Sequence, residues 1–322
     1  MKKILLATTA LVGFAGAAAA EVSLSGYAEI GVQGGSDVAT QFHNDIDITF
    51  SLSGESDSGL SFGATIDADE LNGDSISAQG GGNNPGNRGQ SENDSSVWVS
   101  GSFGKVTLGD TDGALDWAVA EIYTGSAIND DHSTHAGAYW NTGLDGTYDG
   151  QVMRYEYSFG DFGVAVSAEL DDTTAATGGD PVLGLGFKWS GDVGGTAVSA
   201  GIGHQSNGTL DMTAVSLGAT LAGGFSANLG YADGDFSATG SGAAADSWWG
   251  LGVAYTSGPL TVGANYGTFD LAAGGDQSGW GLVVNYDLGG GAVAQFGYGD
   301  GDAISSNGNG DQTWSAGLAL SF

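Results

Sequence analysis

Apolar and polar side chains alternate along most of the chain with a period of two residues. Over residues 22–30 the even-numbered positions are apolar or glycine, and the odd-numbered positions are polar or aromatic. The last ten residues alternate in the same way and end on Phe322. Because successive side chains of a β-strand point to opposite faces, each such segment is predicted to be a strand with one apolar and one polar face. We therefore expect an all-β fold.

About sixteen such segments follow one another, and the weakest strand predictions are those near residues 97–99, 106–108 and 198–202. Short turns of Gly, Ser and Asp connect the segments at one end. Longer acidic loops connect them at the other end, at residues 70–92, 110–150, 171–181, 234–245 and 300–311. An even strand number with this asymmetry is typical of a bacterial transmembrane antiparallel β-barrel.

The N-terminal twenty residues have the composition of a secretory signal peptide. Lys2 and Lys3 precede an apolar stretch at residues 4–16, and Ala18, Ala19 and Ala20 provide an A-x-A cleavage site. We expect residues 1–20 to be removed on export and residues 21–322 to form one barrel domain. The absence of cysteine excludes a disulfide framework in the exported chain.

The charge balance excludes one class of partner. The chain has a formal net charge of -32, and without Lys2 and Lys3 four basic residues remain against 38 acidic ones. Binding to nucleic acid requires positive charge, so nucleic acid is not an expected partner. With 8 Trp, 11 Tyr and 13 Phe, the chain is also unlike acidic disordered proteins, which are poor in aromatic residues.

The two faces of the predicted strands require two different solvents. The apolar faces often carry an aromatic residue toward one end, as expected at a membrane–water boundary. The opposite faces are Ser, Thr, Gly, Asn and acidic residues, which suit a water-filled lumen. A soluble β-sandwich would explain the strand pattern, but not the export signal, the turn asymmetry and the strand number together.

Several stretches resemble the general diffusion porins of alphaproteobacteria, of the Rhodobacter type. They are EVSLSGYAEIGV, FSLSGESDSGLSFGATI, GSFGKVTLGDTDGALDWA, YSFGDFGVAVSAELDD and NYDLGGGAVAQFGYGDGD, and they occur in order along the chain. The resemblance implies a sixteen-stranded, homotrimeric barrel in the outer-membrane lipid, through which small hydrophilic solutes diffuse passively. It also implies that the third long loop folds inward, and that Phe322 is part of the signal recognised by the barrel-assembly machinery.

Residues 110–150 match that loop, because they form the longest interval without a clear strand. Related porins oppose acidic residues of this loop with basic residues on the wall, and Arg154 resembles one such wall arginine. Asp110 stands where enterobacterial relatives often have arginine, so we expect Arg154 to be the only wall cation near the constriction. The predicted pore therefore has a net negative constriction and is cation-selective. Its candidate residues are Asp110, Asp112, Asp116, Glu121 and Arg154, with Asp45, Asp47 and Asp67 on the neighbouring strands.

Other chemistries have weaker support. The segment 130–135 (DDHSTH) resembles a metal cluster, and Asp130 and Asp131 could hold a structural Ca²⁺ ion, but no cofactor is required. None of the four His residues lies in a hydrolase motif, so an outer-membrane hydrolase is not favoured and the protein is not expected to be an enzyme. A substrate-specific channel is the main alternative, although Trp98 and Trp248 are too few for an aromatic track. Arg88 is a candidate contact to a neighbouring subunit.

Overall fold

The computed structural model describes residues 21–36, 39–69, 95–122, 124–128, 138–140, 143–148, 150–171, 179–238, 241–302 and 312–322. The predicted signal peptide, Arg88, Asp130 and Asp131 lie outside these residues. No helix in this part of the chain is long and apolar enough to cross a membrane.

The described residues form a closed barrel of sixteen antiparallel strands, each paired with the next along the chain, and the last paired with the first. This confirms the predicted fold class, including the strands with the weakest patterns. The strands are β1 Glu21–Gly35, β2 Gln41–Glu55, β3 Ser61–Asp69, β4 Ser95–Gly101, β5 Gly104–Gly109, β6 Val152–Phe159, β7 Phe162–Glu169, β8 Val182–Val193, β9 Thr196–Ser206, β10 Asp211–Thr220, β11 Phe225–Ser237, β12 Ala244–Ser257, β13 Leu260–Leu271, β14 Asp276–Gly289, β15 Ala292–Gly301 and β16 Gln312–Ser321. One short helix, α1 (Ala114–Ala118), lies between β5 and β6.

The predicted boundaries of the loop at residues 234–245 are wrong at both ends. Strand β11 continues to Ser237 and β12 begins at Ala244. The register shifts between Asp233 and Phe236, and Gly234 has a φ of 140°. This conformation favours glycine and forms a β-bulge, so the strand passes through the glycine where the sequence suggested a loop.

The apolar faces of the strands form the outside of the barrel. Leu185 on β8 and Leu217 on β10 are exposed on this surface, whereas their lumen-facing neighbours are mostly small or polar. Aromatic rings also pair across neighbouring strands there: the ring centroids of Trp249 and Tyr266 are 5.3 Å apart, and those of Phe225 and Tyr255 are 4.6 Å apart. A surface of this kind is suited to lipid and not to water.

The last strand closes the barrel against β1. Ala28 pairs with Leu320, and the Phe322 N–H donates a hydrogen bond of 2.8 Å to the Gly26 carbonyl. The Phe322 side chain is 80% exposed on the outer surface. The ladder therefore continues to residue 322 and leaves no open sheet edge at this seam.

Candidate functional site

The segment 110–150 is called the inward loop below, and its described parts follow the inner wall of the barrel. In its outgoing limb, α1 packs against β7, β8 and β9. The Ala114 N–H donates to Ser167 Oγ on β7 at 2.8 Å, and the Ala120 N–H donates to Ser216 Oγ on β10 at 2.8 Å. This confirms the prediction that the third loop folds into the barrel.

Glycines on the wall provide the space for this limb. A Cβ atom at Gly186 or Gly201 would overlap a backbone carbonyl of α1, and one at Gly203 would lie 2.5 Å from the Leu115 Cα. Further along, a Cβ at Gly230 would lie 2.5 Å from Ile122 Cγ1. This role of the wall glycines was not predicted from the sequence. The available signal was a repeat of glycines at lumen-facing positions of adjacent strands.

Two buried polar side chains hold the return limb of the loop. Gln205 on β9 accepts from the Leu144 N–H at 2.6 Å and donates to Asp145 Oδ2 at 2.5 Å. Glu169 on β7 accepts from the N–H groups of Gly146, Tyr148 and Gly150 at 3.0, 3.2 and 2.8 Å. Both side chains belong to residues that are 0% exposed. Glu169 faces inward as its sequence position indicates, but it binds the loop and does not line the open lumen.

The acidic residues of the loop form a cluster. Asp112, Asp116 and Glu121 line one cleft together with Trp140. Asp112 and Glu121 are exposed, whereas Asp116 is partly buried. Two bonds tie the limbs together at this point: the Gly143 N–H donates to Asp116 Oδ2 at 3.3 Å, and the Gly113 N–H donates to Asp145 Oδ2 at 2.9 Å.

Burial raises the pKa of Asp116 to about 7, and the charges of Asp145 and Asp112 add to the increase. Burial also raises the pKa of Asp145. Asp116 thus changes charge near neutral pH, unlike an ordinary surface carboxylate.

The remaining predicted acids lie apart from this cleft. Asp45, Asp47 and Asp67 have inward positions on β2 and β3, where the Thr49 hydroxyl donates to Asp67 Oδ1 at 2.9 Å. Glu29 on β1 joins them, with its Oε2 at 3.0 Å from His43 Nε2. The exposed Asp110 lies at the end of β5, where its N–H donates to the Ser95 carbonyl, and it is not among the residues that line the cleft.

The sequence model of the Gram-negative porin family matches residues 7–305. The chain belongs to the Gram-negative porins. It is 32% identical over 318 residues to a porin of Rhodobacter capsulatus, covering 89% of this chain and 96% of that protein. Among solved structures, a porin refined at 1.8 Å resolution matches with a TM-score of 0.70 and 26% identity, over 94% of this chain and all of that one. A substituted form of Rhodopseudomonas blastica porin has the same fold, with a TM-score of 0.67 at 19% identity, over 94% and 100% of the two chains.

As a porin, the chain forms a water-filled channel of the outer membrane for passive diffusion of small hydrophilic solutes and ions. The described parts of the inward loop lie inside this channel, and the side chains of Asp112 and Glu121 are exposed there. The electric field beside these acidic residues also depends on which groups the basic residues of the porin contact.

Two wall cations hold the inward loop in this porin. Arg154 Nε lies 3.0 Å from Glu156 Oε2, and its Nη1 donates to the Asp112 carbonyl. Lys188 on β8 donates from Nζ to the Trp117 carbonyl at 3.0 Å. The prediction that Arg154 is the only wall cation near the constriction is therefore wrong. The inward position of Lys188, between two outward aromatic residues, was a signal that could have identified it.

The titration of Asp116 predicts a selectivity that depends on pH. As pH rises through about 7 the Asp116 carboxyl loses its proton and adds a negative charge to the lumen. We expect the K⁺ over Cl⁻ permeability ratio to rise between about pH 6 and about pH 8. The zero-current potential in a KCl gradient measures it. The variant Asp116→Asn should match the unsubstituted porin at the lower pH and fall below it at the higher pH; an identical rise in both proteins would contradict this assignment.

Proposed function

We propose that this porin is cation-selective and that the inward loop forms its negatively charged constriction. One observation carries the proposal: Asp112 and Glu121 are exposed and form no ion pair with a basic residue in the described part of the chain, although Glu121 accepts a hydrogen bond from the Tyr139 hydroxyl. The three described basic residues each contact another group of the protein. Arg154 is next to Glu156, Lys188 binds the Trp117 carbonyl, and Lys105 Nζ lies 5.4 Å from the Trp98 ring centroid. Rings of carboxylates in a pore favour cations.

The Debye length is about 8 Å at physiological salt, so fixed charge acts across a narrow pore and is screened in concentrated salt. We expect Asp110, Asp45, Asp47 and Asp67 to extend the negative potential along the lumen. Zero-current potentials at increasing KCl concentration and a fixed concentration ratio test the proposal. Selectivity for K⁺ should weaken as salt rises; selectivity that is independent of salt would argue for selection by size alone.

We also propose a homotrimer whose subunits meet through β1–β5. The outward faces of these five strands carry no Trp or Tyr in the described residues, although Tyr157, Trp249 and Trp280 lie on outward faces elsewhere. Interfacial aromatic residues are useful where a strand meets lipid headgroups. Their absence from the described residues of five consecutive strands supports the proposal that another copy of the barrel covers this face.

Spin labels at Phe50→Cys and Val262→Cys test this interface, since the chain has no native cysteine. Both native side chains are 41% exposed in a single chain, and they lie on β2 and β13. We expect membrane-dissolved oxygen to relax the label at residue 262 strongly and the label at residue 50 weakly. Equal relaxation would place both strands in lipid and contradict the trimer arrangement.

The remaining proposals concern export, assembly and ligands. We propose that the signal peptide is cleaved after residue 20. We also propose a non-enzymatic role, which is supported by membership of the porin family. Structural Ca²⁺ at Asp130 and Asp131 stays a proposal, which equilibrium dialysis with Ca²⁺ would test. Among the described residues, no group of three or more His, Cys, Asp or Glu side chains could hold a metal ion.

Phe322 is proposed to be part of the signal for the barrel-assembly machinery, supported by its exposed side chain and its pairing with Gly26. Deleting Phe322 is expected to lower the amount of assembled barrel several-fold while export continues. The measurement is the fraction of heat-modifiable porin in outer membranes, with Phe322→Tyr as the aromatic control. Normal assembly of the deletion variant would contradict the role.

A further inference from the structure

A second pocket lies beneath α1, between the inward loop and the inner wall at β6–β10. Its volume is about 320 Å³, and its lining includes Gly160 and Asp161 in the short β6–β7 turn. The pocket is therefore on the short-turn side of the loop, and it shares only Val119 and Ala120 with the cleft of Asp112, Asp116 and Glu121. Solutes that have passed the loop would meet it next.

An aromatic ring and an ammonium group meet at this pocket. The Lys188 Nζ atom lies 3.6 Å from the centroid of the Trp117 ring and donates one hydrogen bond to the Trp117 carbonyl. An ammonium group has three N–H donors, so this bond leaves donors for another acceptor. Gly163 on β7 makes room for the ring, because a Cβ atom there would lie 2.8 Å from Trp117 Cη2.

Hydroxyl groups provide the polar part of the lining. Ser158, Ser190 and Ser199 are exposed at inward positions on β6, β8 and β9 and line the pocket. Asp161, also exposed, provides a carboxylate at the turn. Lys188 and Asp161 balance each other in charge, so this pocket is close to neutral, unlike the acidic cleft above it.

We propose that this pocket is a weak binding site for neutral polyhydroxylated solutes of the size of a small saccharide. The ring of Trp117 contributes apolar surface for the C–H groups of a sugar beside the Lys188 ammonium that lies over it, while the ammonium and the serine hydroxyls match the hydroxyl groups of the sugar. A volume of about 320 Å³ is at the small end of ligand pockets. Because a channel must release what it binds, the affinity is expected to be on the order of millimolar.

Current noise from single channels in planar bilayers tests the site, with glucose as the probe, added to each side in turn. Binding predicts excess noise that saturates with glucose concentration and is larger from the short-turn side. Trp117→Leu and Lys188→Met should each weaken glucose binding by about tenfold. The double variant Ser190→Ala/Ser199→Ala keeps the contact between Lys188 and Trp117 and should still weaken binding by about threefold.

The porin offers a matched control in Lys105 and Trp98, a second cation–ring pair that does not line the pocket. Trp98→Leu and Lys105→Met should leave glucose binding unchanged. The site would be refuted if glucose reduced the current only in linear proportion to its concentration, as a viscous solute does. Equal losses in the pocket and control variants would also refute it. Cation selectivity is measured without sugar, so the two proposals can fail independently.

Discussion

Replacing Glu169 with alanine is expected to release the return limb of the inward loop. This carboxylate is fully buried and accepts hydrogen bonds from three backbone N–H groups of the loop. Leaving one buried donor unpaired costs about 1–3 kcal/mol, so the open population of the limb should rise by about 5-fold to about 150-fold. The reaction rate of Leu144→Cys, whose native side chain is buried in the return limb, with a water-soluble thiol reagent measures this population.

The variant Glu169→Gln separates anchoring from charge. Its carbonyl oxygen can still accept from Tyr148 and Gly150, which share one oxygen of Glu169, and only the bond from Gly146 is lost. Both variants remove the same negative charge. If Glu169 anchors the loop, the thiol at residue 144 should react much faster in the Glu169→Ala variant than in the Glu169→Gln variant. Equal rates would mean that Glu169 does not hold the loop through its hydrogen bonds.

Neutralising the two exposed acids of the cleft, in Asp112→Asn/Glu121→Gln, is expected to reduce cation selectivity strongly. A unit charge about 4 Å from a passing ion contributes about 1 kcal/mol in water, so each substitution should lower the K⁺ over Cl⁻ permeability ratio by about threefold after screening. The matched control is Asp192→Asn, which removes the same charge from the end of β8, next to the β8–β9 turn, where Asp192 accepts from the Gly195 N–H. A control variant as strongly affected as the cleft variant would contradict a local role for the loop acids.

Substituting Arg154 is a less direct test of the electric field at the proposed constriction. Neutralising Arg154 removes a positive charge, which favours cations, but it also removes a donor to the Asp112 carbonyl. Selectivity and loop position would therefore change together. The cleft acids avoid this difficulty in part, because the side chains of Asp112 and Glu121 are exposed.

The strands and their two faces could be predicted because the alternation of side chains is a local property of the sequence. The pattern also predicted that residues 110–150 lie between strands, and the family resemblance placed them inside the barrel. Whether an inward-facing side chain is covered depends on residues that are distant in the sequence. It could therefore not be predicted from the local alternation. Glu169 and Asp67 both have inward positions, yet one is enclosed by the loop and the other bonds to Thr49 on the wall.

Two further features depend on partners distant in sequence. Gly201 looks like any strand glycine until α1 is placed against it, and Gly234 looks like a loop residue although it forms a bulge. The raised pKa of Asp116 likewise depends on burial and on Asp145, which follows it by 29 positions. Such features require the loop and wall to be assembled in three dimensions.

The sign of the zero-current potential at neutral pH and low salt tests the central claim most directly. The purified porin is inserted in a planar bilayer between dilute and concentrated KCl. A negative constriction passes K⁺ more readily than Cl⁻, so the dilute side should become positive, and this potential should shrink as both solutions are made more concentrated. A negative dilute side would show that Cl⁻ passes more readily, and it would contradict a pore governed by Asp112, Asp116 and Glu121.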